Sequence, residues 1–500
     1  MTQSSSVDVL ICGAGASGLT LGIELARRGV RFRLIEKQPV PFQGSRGKGI
    51  QPRTLEIFDD IGVVDRMAAI GGPYPLVRHH AADGSSHDAL AIAEAAATPA
   101  EPYGTPLMLP QFLTEGVLRD RLVELGGRVE FGHTLAGFTQ AAEGVTATIA
   151  GPNGEETVCA RYLIAADGGR SFIRRTLEIG FPGKELGVRA IVADVNLSGL
   201  ERDAWHRFGD GDMQRQIALC PLAGTDLFQI QAPIPLEGEV DLSVAGLQAF
   251  VLERTGRHDL RVEQVHWASA YSMSARLADH YRVGDVFLVG DAAHVHPPTG
   301  GQGLNTSTQD AYNLGWKLAA VLGGAPAALL DTYEEERRPI AAGMLGLATR
   351  MLDALKQGSM RRTRETQQLD LGYAGSSLAV DAPALDDATV VAGDRAPDAP
   401  LRGAGGQPVR LFDLLRGPHW TLLGVGADRT RLPSRANVHM HMIGEGHELR
   451  DDGGHFQAAY GLPAGAWVLI RPDGYIGAIA DAAHTDALLA YMALNSSAAA

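Results

Sequence analysis

The chain opens with an apolar run, Val7-Asp8-Val9-Leu10-Ile11-Cys12, that breaks at Gly13-Ala14-Gly15-Ala16-Ser17-Gly18. Leu19, Ile23 and Ala26 follow at helical spacing, and Arg27, Arg28 and Gly29 supply the cations and the glycine that suit a helix C-terminus. Phe32 and Leu34 then alternate with Arg31 and Arg33, a half-buried strand that brings Glu36 to its end. This order predicts a nucleotide-binding βαβ unit. Gly13 serves the tight turn, Gly15 lets a pyrophosphate approach bare backbone, Gly18 lets helix and sheet pack closely, and the Glu36 carboxylate can accept both hydrogens of a ribose diol. An acid at that point repels a 2′-phosphate, so the site suits FAD or NAD(H) better than NADP(H); its place at the start of the chain favours FAD.

Two later apolar strands end in comparable turns. Tyr162-Leu163-Ile164-Ala165-Ala166 runs into Asp167-Gly168-Gly169-Arg170-Ser171, and Val286-Phe287-Leu288-Val289 into Gly290-Asp291-Ala292-Ala293-His294. After the last of these, Pro297-Pro298-Thr299-Gly300-Gly301-Gln302-Gly303-Leu304-Asn305 opens a helix through Leu314, Leu318 and Leu322, whose positive end would stabilise an anionic reduced flavin ring. Between the turns, strand-like segments dominate from Phe181 to Tyr281; in one of them Phe228, Ile230 and Ala232 share a face. Ser45-Arg46-Gly47-Lys48-Gly49-Ile50 is a basic, glycine-rich loop, either a solvated turn or a flavin cover. The alanine-rich stretch Asp83 to Pro106 reads as a surface excursion.

These patterns divide the chain into a discontinuous FAD-binding domain (1–180 and 282–360), an inserted substrate-binding sheet domain (181–281), a linker (361–393) and a C-terminal domain (394–496). A length of 500 residues fits several domains. A hydrophobic share of 45% with 20% charged residues is that of an ordinary globular protein. The net charge of -14 argues against nucleic acid or an anionic membrane as partner. Cys12, Cys159 and Cys220 are odd in number and lack CxxC spacing, so no disulfide framework or zinc site is expected. His294 and His296 form an HxH pair without a third ligand at a usable spacing, and no metal is expected there. With no signal-like core and no membrane-length apolar run, the expected location is the cytoplasm.

The three turns in this order resemble the signatures of the class A flavoprotein monooxygenases, the single-component FAD-dependent aromatic hydroxylases. The long form with a C-terminal unit is similar to the phenol hydroxylase, polyketide hydroxylase and rifampicin monooxygenase branch. The resemblance implies an α/β fold in which a Rossmann-like FAD-binding domain carries an inserted β-sheet substrate domain, followed by a thioredoxin-like C-terminal domain. Lacking any cysteine after Cys220, that last domain would have no dithiol chemistry.

It implies site residues as well: Gly13, Gly15, Ser17, Gly18, Glu36 and Lys37 at the adenosine half of FAD, and Arg46 and Gln111 on the flavin side. Asp167 and Gly168 would serve FAD and NAD(P)H, Asp291 the ribityl or pyrophosphate region, and Gly301, Leu304 and Asn305 the pyrimidine edge. Arg46 and the Pro297 to Gly303 loop would guide a moving flavin, with Pro298 shaping that loop; Arg46 and Pro298 are the candidates nearest the chemistry. Phe228, Ile230, Trp267 and Tyr271 are candidate substrate contacts, with sheet core as the default reading.

In this family NADPH or NADH reduces FAD, and molecular oxygen adds at the flavin C4a. The hydroperoxide then passes one oxygen atom to a small aromatic substrate, phenolic or polyketide-like, from which water must be excluded. A homodimer is an open expectation. Baeyer–Villiger insertion, antibiotic inactivation and a flavin dehydrogenase of the same fold are the rival activities, and no residue stands out as a substrate base.

Overall fold

The computed structural model describes residues 5–92, 96–209, 214–356, 364–381 and 388–495. Arg361 to Thr363 of the expected linker and the terminal Ala498 to Ala500 lie outside the described residues.

Ser5–Cys12 pairs in parallel with Phe32–Glu36 on one side and with Gly154–Ala165 on the other; Gly154–Ala165 in turn pairs in parallel with Val286–Leu288. These strands read as almost unbroken apolar runs because helices cover both faces, leaving Val9, Leu10, Ile11, Leu163, Ile164 and Phe287 with no exposed surface. Parallel register aligns the strand ends, so all three signature turns emerge along one edge of the sheet, where open α/β folds bind their ligands. The fingerprint helix Ala16–Ala26 packs along the long helix Gly303–Leu322, and a side chain at Gly315 would overlap Glu24.

The second sheet has eight strands, in the spatial order His294–Val295, Arg261–Leu277, Gly183–Ser198, Phe228–Ile234, Ile217–Pro221, Ala204–Phe208, Leu76–His80 and Ser86–Ala89. This corrects the expected boundary at both ends. Leu76–His80 pairs in parallel with Ala204–Phe208, and Ser86–Ala89 lies beside it, so part of the supposed surface excursion is sheet edge. Alanine-rich composition hid it, because an edge strand with four exposed residues carries no apolar alternation. One face of the sheet buries Ile191, Ala193, Phe228, Ile230 and Leu219 against Leu247 and Val251 of the helix Val244–Thr255. The opposite face looks toward the FAD-binding unit.

In the C-terminal unit Trp420–Val425 pairs in parallel with Val438–Ile443 and antiparallel with Trp467–Ile470, which forms a hairpin with Ile476–Ala480. A parallel pair beside an antiparallel hairpin, with the helix Thr485–Asn495 packed on it, is the thioredoxin-like order. Gly477 is required because the Tyr491 hydroxyl fills the space a side chain would take. The described part of the linker is not loose. Val380–Asp381 joins the C-terminal sheet beside Ile476–Ala480, while Gln368 bonds Gln302 and Gln309, and the Tyr373 hydroxyl accepts from Arg337 of the FAD-binding unit.

Candidate active site

At the first turn, Gly13 adopts φ +108°, and a side chain on it would overlap the Ala166 carbonyl; one on Gly18 would overlap the Gly13 carbonyl. Gly15 is different: a Cβ there would meet only Glu115 Oε1, at 3.7 Å. Gly13 and Gly18 therefore serve chain packing, while Gly15 keeps a space clear at a helix N-terminus whose cap makes no side-chain hydrogen bond. Glu36 Oε2 accepts from Ala14 N–H at 3.0 Å and Oε1 from Gln38 N–H at 2.9 Å, which fixes the carboxylate beside the turn. Lys37 is exposed. Ser17 is buried, and its hydroxyl, with that of Ser307, lines the space beside Gly290.

The loop Gly44–Gly49 is held on three sides. Gln111 N–H donates to the Gly47 carbonyl at 2.9 Å, and the Gln111 side chain donates to Glu115 at 2.8 Å. Asn305 joins this loop to the long helix: its Oδ1 accepts from Gln51 N–H at 2.8 Å and its Nδ2 donates to the Gly49 and Gly301 carbonyls at 2.9 and 2.7 Å. Leu304 lies against Gly47, and the N–H groups of Gly303, Leu304 and Asn305 precede the first internal bond of the helix, Thr306 to Gln302. Gly301 takes φ +67° and Gly168 φ +82°. Pro298 is exposed and starts the tight turn Thr299–Gly301.

Arg46 stands exposed in the cleft, its guanidinium 5.2 Å from the Phe42 ring centre. Asp291 also opens to the cleft; burial by the protein mass behind it raises its pKa, and the charges of His294 and Arg46 oppose that rise. Asp167 caps the short helix Phe172–Thr176, accepting from Phe172 N–H at 2.8 Å, and its Oδ1 is buried without a partner.

The third side is the inner face of the second sheet. Ser45 N–H donates to Asp194 Oδ2 at 2.7 Å, Gln229 Nε2 donates to Ser45 Oγ at 2.6 Å, and Lys48 Nζ donates to Gln229 Oε1 at 2.7 Å. Trp267, opposite Asp194 in register, lies directly on Gly44 and packs edge-on against Phe42 with centres 5.4 Å apart. Tyr271 falls on the same face, and burial lifts its phenol pKa to about 12. Phe228 and Ile230 do not reach the cleft. Strand alternation puts Gln229 toward the loop, and so sends Phe228 and Ile230 into the core under the helix Val244–Thr255. Phe228 and Ile230 are thus sheet core and not substrate contacts, and Gln229 and Gln231 occupy the opposite face.

The FAD binding domain family matches residues 6–348, and the aromatic-ring hydroxylase C-terminal family matches residues 389–495. A flavin-dependent monooxygenase of Mycobacteroides abscessus is 41% identical, the match covering 97% of this chain and 99% of that protein. The chain belongs to the class A flavin-dependent monooxygenases. A 12-dehydrotetracycline 5-monooxygenase/anhydrotetracycline 6-monooxygenase of Streptomyces rimosus is 35% identical over 94% of each chain. Among solved structures, the flavin-dependent monooxygenase PieE in complex with FAD and substrate is similar at a TM-score of 0.86 and 26% identity, over 98% of both chains. Aklavinone-11 hydroxylase with FAD and aklavinone is similar at a TM-score of 0.83 and 28% identity, over 99% of this chain and all of that one.

FAD fits this monooxygenase's residues. The clear space at Gly15, the helix N-terminus without a side-chain cap, the fixed Glu36 carboxylate and the N–H groups of Gly303 to Asn305, which precede the first internal bond of their helix, form a donor and acceptor set for a dinucleotide with an anionic ring. NAD(P)H is the reductant of the family.

The histidine pair has a local role. Asp310 accepts from His294 Nε2 at 2.6 Å and from Arg337 Nε at 2.8 Å, while His294 Nδ1 lies 2.9 Å from His296 Nε2. His294 thus uses both ring nitrogens on protein partners. Sequence reasoning picked out the loop that holds Ser45 and Lys48 but not their partners, and missed Gln51, Asp194, Gln229 and Glu115. Alternation in the strand Phe228–Ile234 carried the signal for Gln229, and helical i, i+4 spacing that for the Gln111–Glu115 pair; Gln51 and Asp194 act through contacts between distant segments.

Proposed function

We propose that this monooxygenase hydroxylates a fused multi-ring phenol of the polyketide kind. The observation that carries the reading is the extent of the sheet's inner face. Beyond Asp194, Trp267 and Gln229, which touch the flavin loop, the register continues the same face through Val192, Ser269 and Gln231 to Ala190, Tyr271 and Pro233. Four strand residues cover about 13 Å, the length of a fused ring system rather than of a single phenol. Amide, hydroxyl and aromatic groups along it suit flat rings bearing hydroxyl and carbonyl substituents. Relatives named for anhydrotetracycline and aklavinone support the class.

Bound FAD, once reduced by NAD(P)H, supplies the activation of molecular oxygen. Gly15, Ser17, Glu36 and Lys37 bind the adenosine half, Gln111, Leu304 and Asn305 orient the flavin half, and Asp167, Gly168, Asp291 and Gly301 border it. The second sheet and the Pro298 loop exclude water, while Arg46 guides the ring toward the nicotinamide. The use of NAD(P)H supports a cytoplasmic location, where Cys12, Cys159 and Cys220 stay as thiols. The test is oxygen accounting on the FAD-loaded protein with polycyclic and single-ring phenols. Polycyclic phenols should speed NAD(P)H oxidation and take up oxygen with little peroxide. Tight coupling with single-ring phenols alone would overturn the substrate class.

A further inference from the structure

We propose that the turn Arg471-Pro472-Asp473-Gly474 of the C-terminal unit positions the flavin site. Two helices border that site: Pro52–Asp60, which follows the loop Gly44–Gly49, and Gly303–Leu322, whose N-terminal Asn305 is bonded to that loop. At the cleft they are joined by Gln51 and Asn305. Deeper down, the same two helices meet on this one turn. Arg53, in the first turn of its helix, donates to the Asp473 carbonyl at 2.9 Å. The Tyr312 hydroxyl, which donates to Asp60 at 2.8 Å, lies 3.4 Å from the Pro472 carbonyl, and Asp473 Oδ2 accepts from Trp316 Nε1 at 2.9 Å and from Asn313 Nδ2 at 3.3 Å.

The turn is itself fixed. Arg471 forks onto Glu336 at 2.6 and 2.9 Å and onto Asp473 at 3.0 and 2.6 Å, and Glu336 also accepts from the buried Lys317 at 2.6 Å. All of these groups are buried, and such a network holds one geometry because any other leaves a charge unpaired. Arg53 lies two residues from Gln51, so a shift of the turn passes straight to the end of the flavin loop. The C-terminal unit therefore acts as a brace on the cofactor, a role that needs no cysteine. The inference depends on the FAD site alone and is indifferent to the substrate.

The test compares Arg53→Met, Arg53→Lys and Trp316→Phe in the full-length protein by FAD titration, visible circular dichroism of the bound flavin and thermal unfolding with and without FAD. Arg53→Met should weaken FAD binding at least tenfold and alter the flavin dichroism, Arg53→Lys should restore much of both, and Trp316→Phe should give a smaller change of the same kind. If Arg53→Met and Trp316→Phe lower the unfolding temperature of the apoprotein while FAD affinity and dichroism stay at wild-type values, the turn is only a structural joint and the proposal fails. Should Arg53→Met not fold, Trp316→Phe, which removes one hydrogen bond and keeps an aromatic side chain, decides by the same readouts.

Discussion

Ser45 N–H donates to Asp194 Oδ2 at 2.7 Å, and the Ser45 hydroxyl donates to the other oxygen of the same carboxylate. One buried acid thus fastens the loop Gly44–Gly49 to the second sheet, immediately before Arg46. Burial raises the Asp194 pKa, and the two bonds from Ser45 and the nearby Lys48 charge oppose that rise. Replacing Asp194 with Ala strands buried donors, at a cost of about 1–3 kcal/mol, and frees the loop. The expected result is a lower unfolding temperature together with a larger fraction of NAD(P)H oxidation ending as peroxide. Wild-type coupling in a destabilised Asp194→Ala protein would show that the latch matters only for folding.

Arg46 follows the latch but faces the cleft, with the Phe42 ring 5.2 Å away as its neighbour and Asp291 within electrostatic reach. A cation placed between a fixed anchor and an open site can follow a moving ring. Arg46→Ala should therefore slow NAD(P)H-dependent flavin reduction at least tenfold while raising the FAD dissociation constant by less. Stopped-flow reduction of the fully loaded protein decides: an unchanged reduction rate with poor FAD retention would reduce Arg46 to a cofactor ligand.

Apolar strands ending in glycine turns are local patterns, so the βαβ unit and the three turns that share one sheet could be read from the sequence. The polar joints could not. Ser45 and Asp194 are 149 positions apart, and Arg53 and Asp473 are 420 apart; nothing in either neighbourhood marks the other. Ser86–Ala89 escaped because an exposed edge strand shows no buried face. Phe228 and Ile230 were read onto one face correctly, but the sequence does not say which side of the sheet meets the helix and which meets the flavin.

That choice of face separates substitutions at two adjacent residues, Ile230 and Gln231. Ile230 is fully buried under the helix Val244–Thr255, so Ile230→Ala should cost about 2–5 kcal/mol of stability and leave the ranking of substrates unchanged. Gln231 lies on the other face and donates to Gln229 at 2.8 Å. Gln231→Leu should fold normally and change KM among hydroxylated polycyclic substrates by severalfold or more. An altered substrate ranking in Ile230→Ala with none in Gln231→Leu would reverse the assignment of faces.

The fingerprint glycines should divide in the same way. A methyl at Gly18 overlaps the Gly13 carbonyl, so Gly18→Ala should be poorly folded with or without FAD. At Gly15 the methyl meets only Glu115 Oε1 at 3.7 Å, and the backbone angles there suit alanine. Gly15→Ala should unfold at the temperature of the wild-type apoprotein yet bind FAD at least tenfold more weakly, since the methyl occupies the phosphate approach. Equal FAD affinity in Gly15→Ala and wild type would move the diphosphate elsewhere.

Glu115 places a titratable group beside that approach. Burial lifts its pKa from 4.5 to about 7, against the hydrogen bonds from Gln111 and Ala16 N–H and the Arg119 charge, while Glu36 adds to the rise. With the folded value above the unfolded one, the stability linked to this group is fully present below about pH 4.5 and is lost as pH rises through 7, a total of about 3 kcal/mol. A diphosphate nearby favours the neutral acid further, so FAD binding above neutral pH should take up a proton, and the dissociation constant should rise by up to tenfold per pH unit. Glu115→Gln keeps an acceptor for Gln111 and Ala16 but cannot ionise. Its FAD affinity should stay nearly flat from pH 6 to 9, and its apoprotein should be more stable than wild type at the alkaline end. Titrations that fall in parallel for the two proteins would assign the pH dependence to another group.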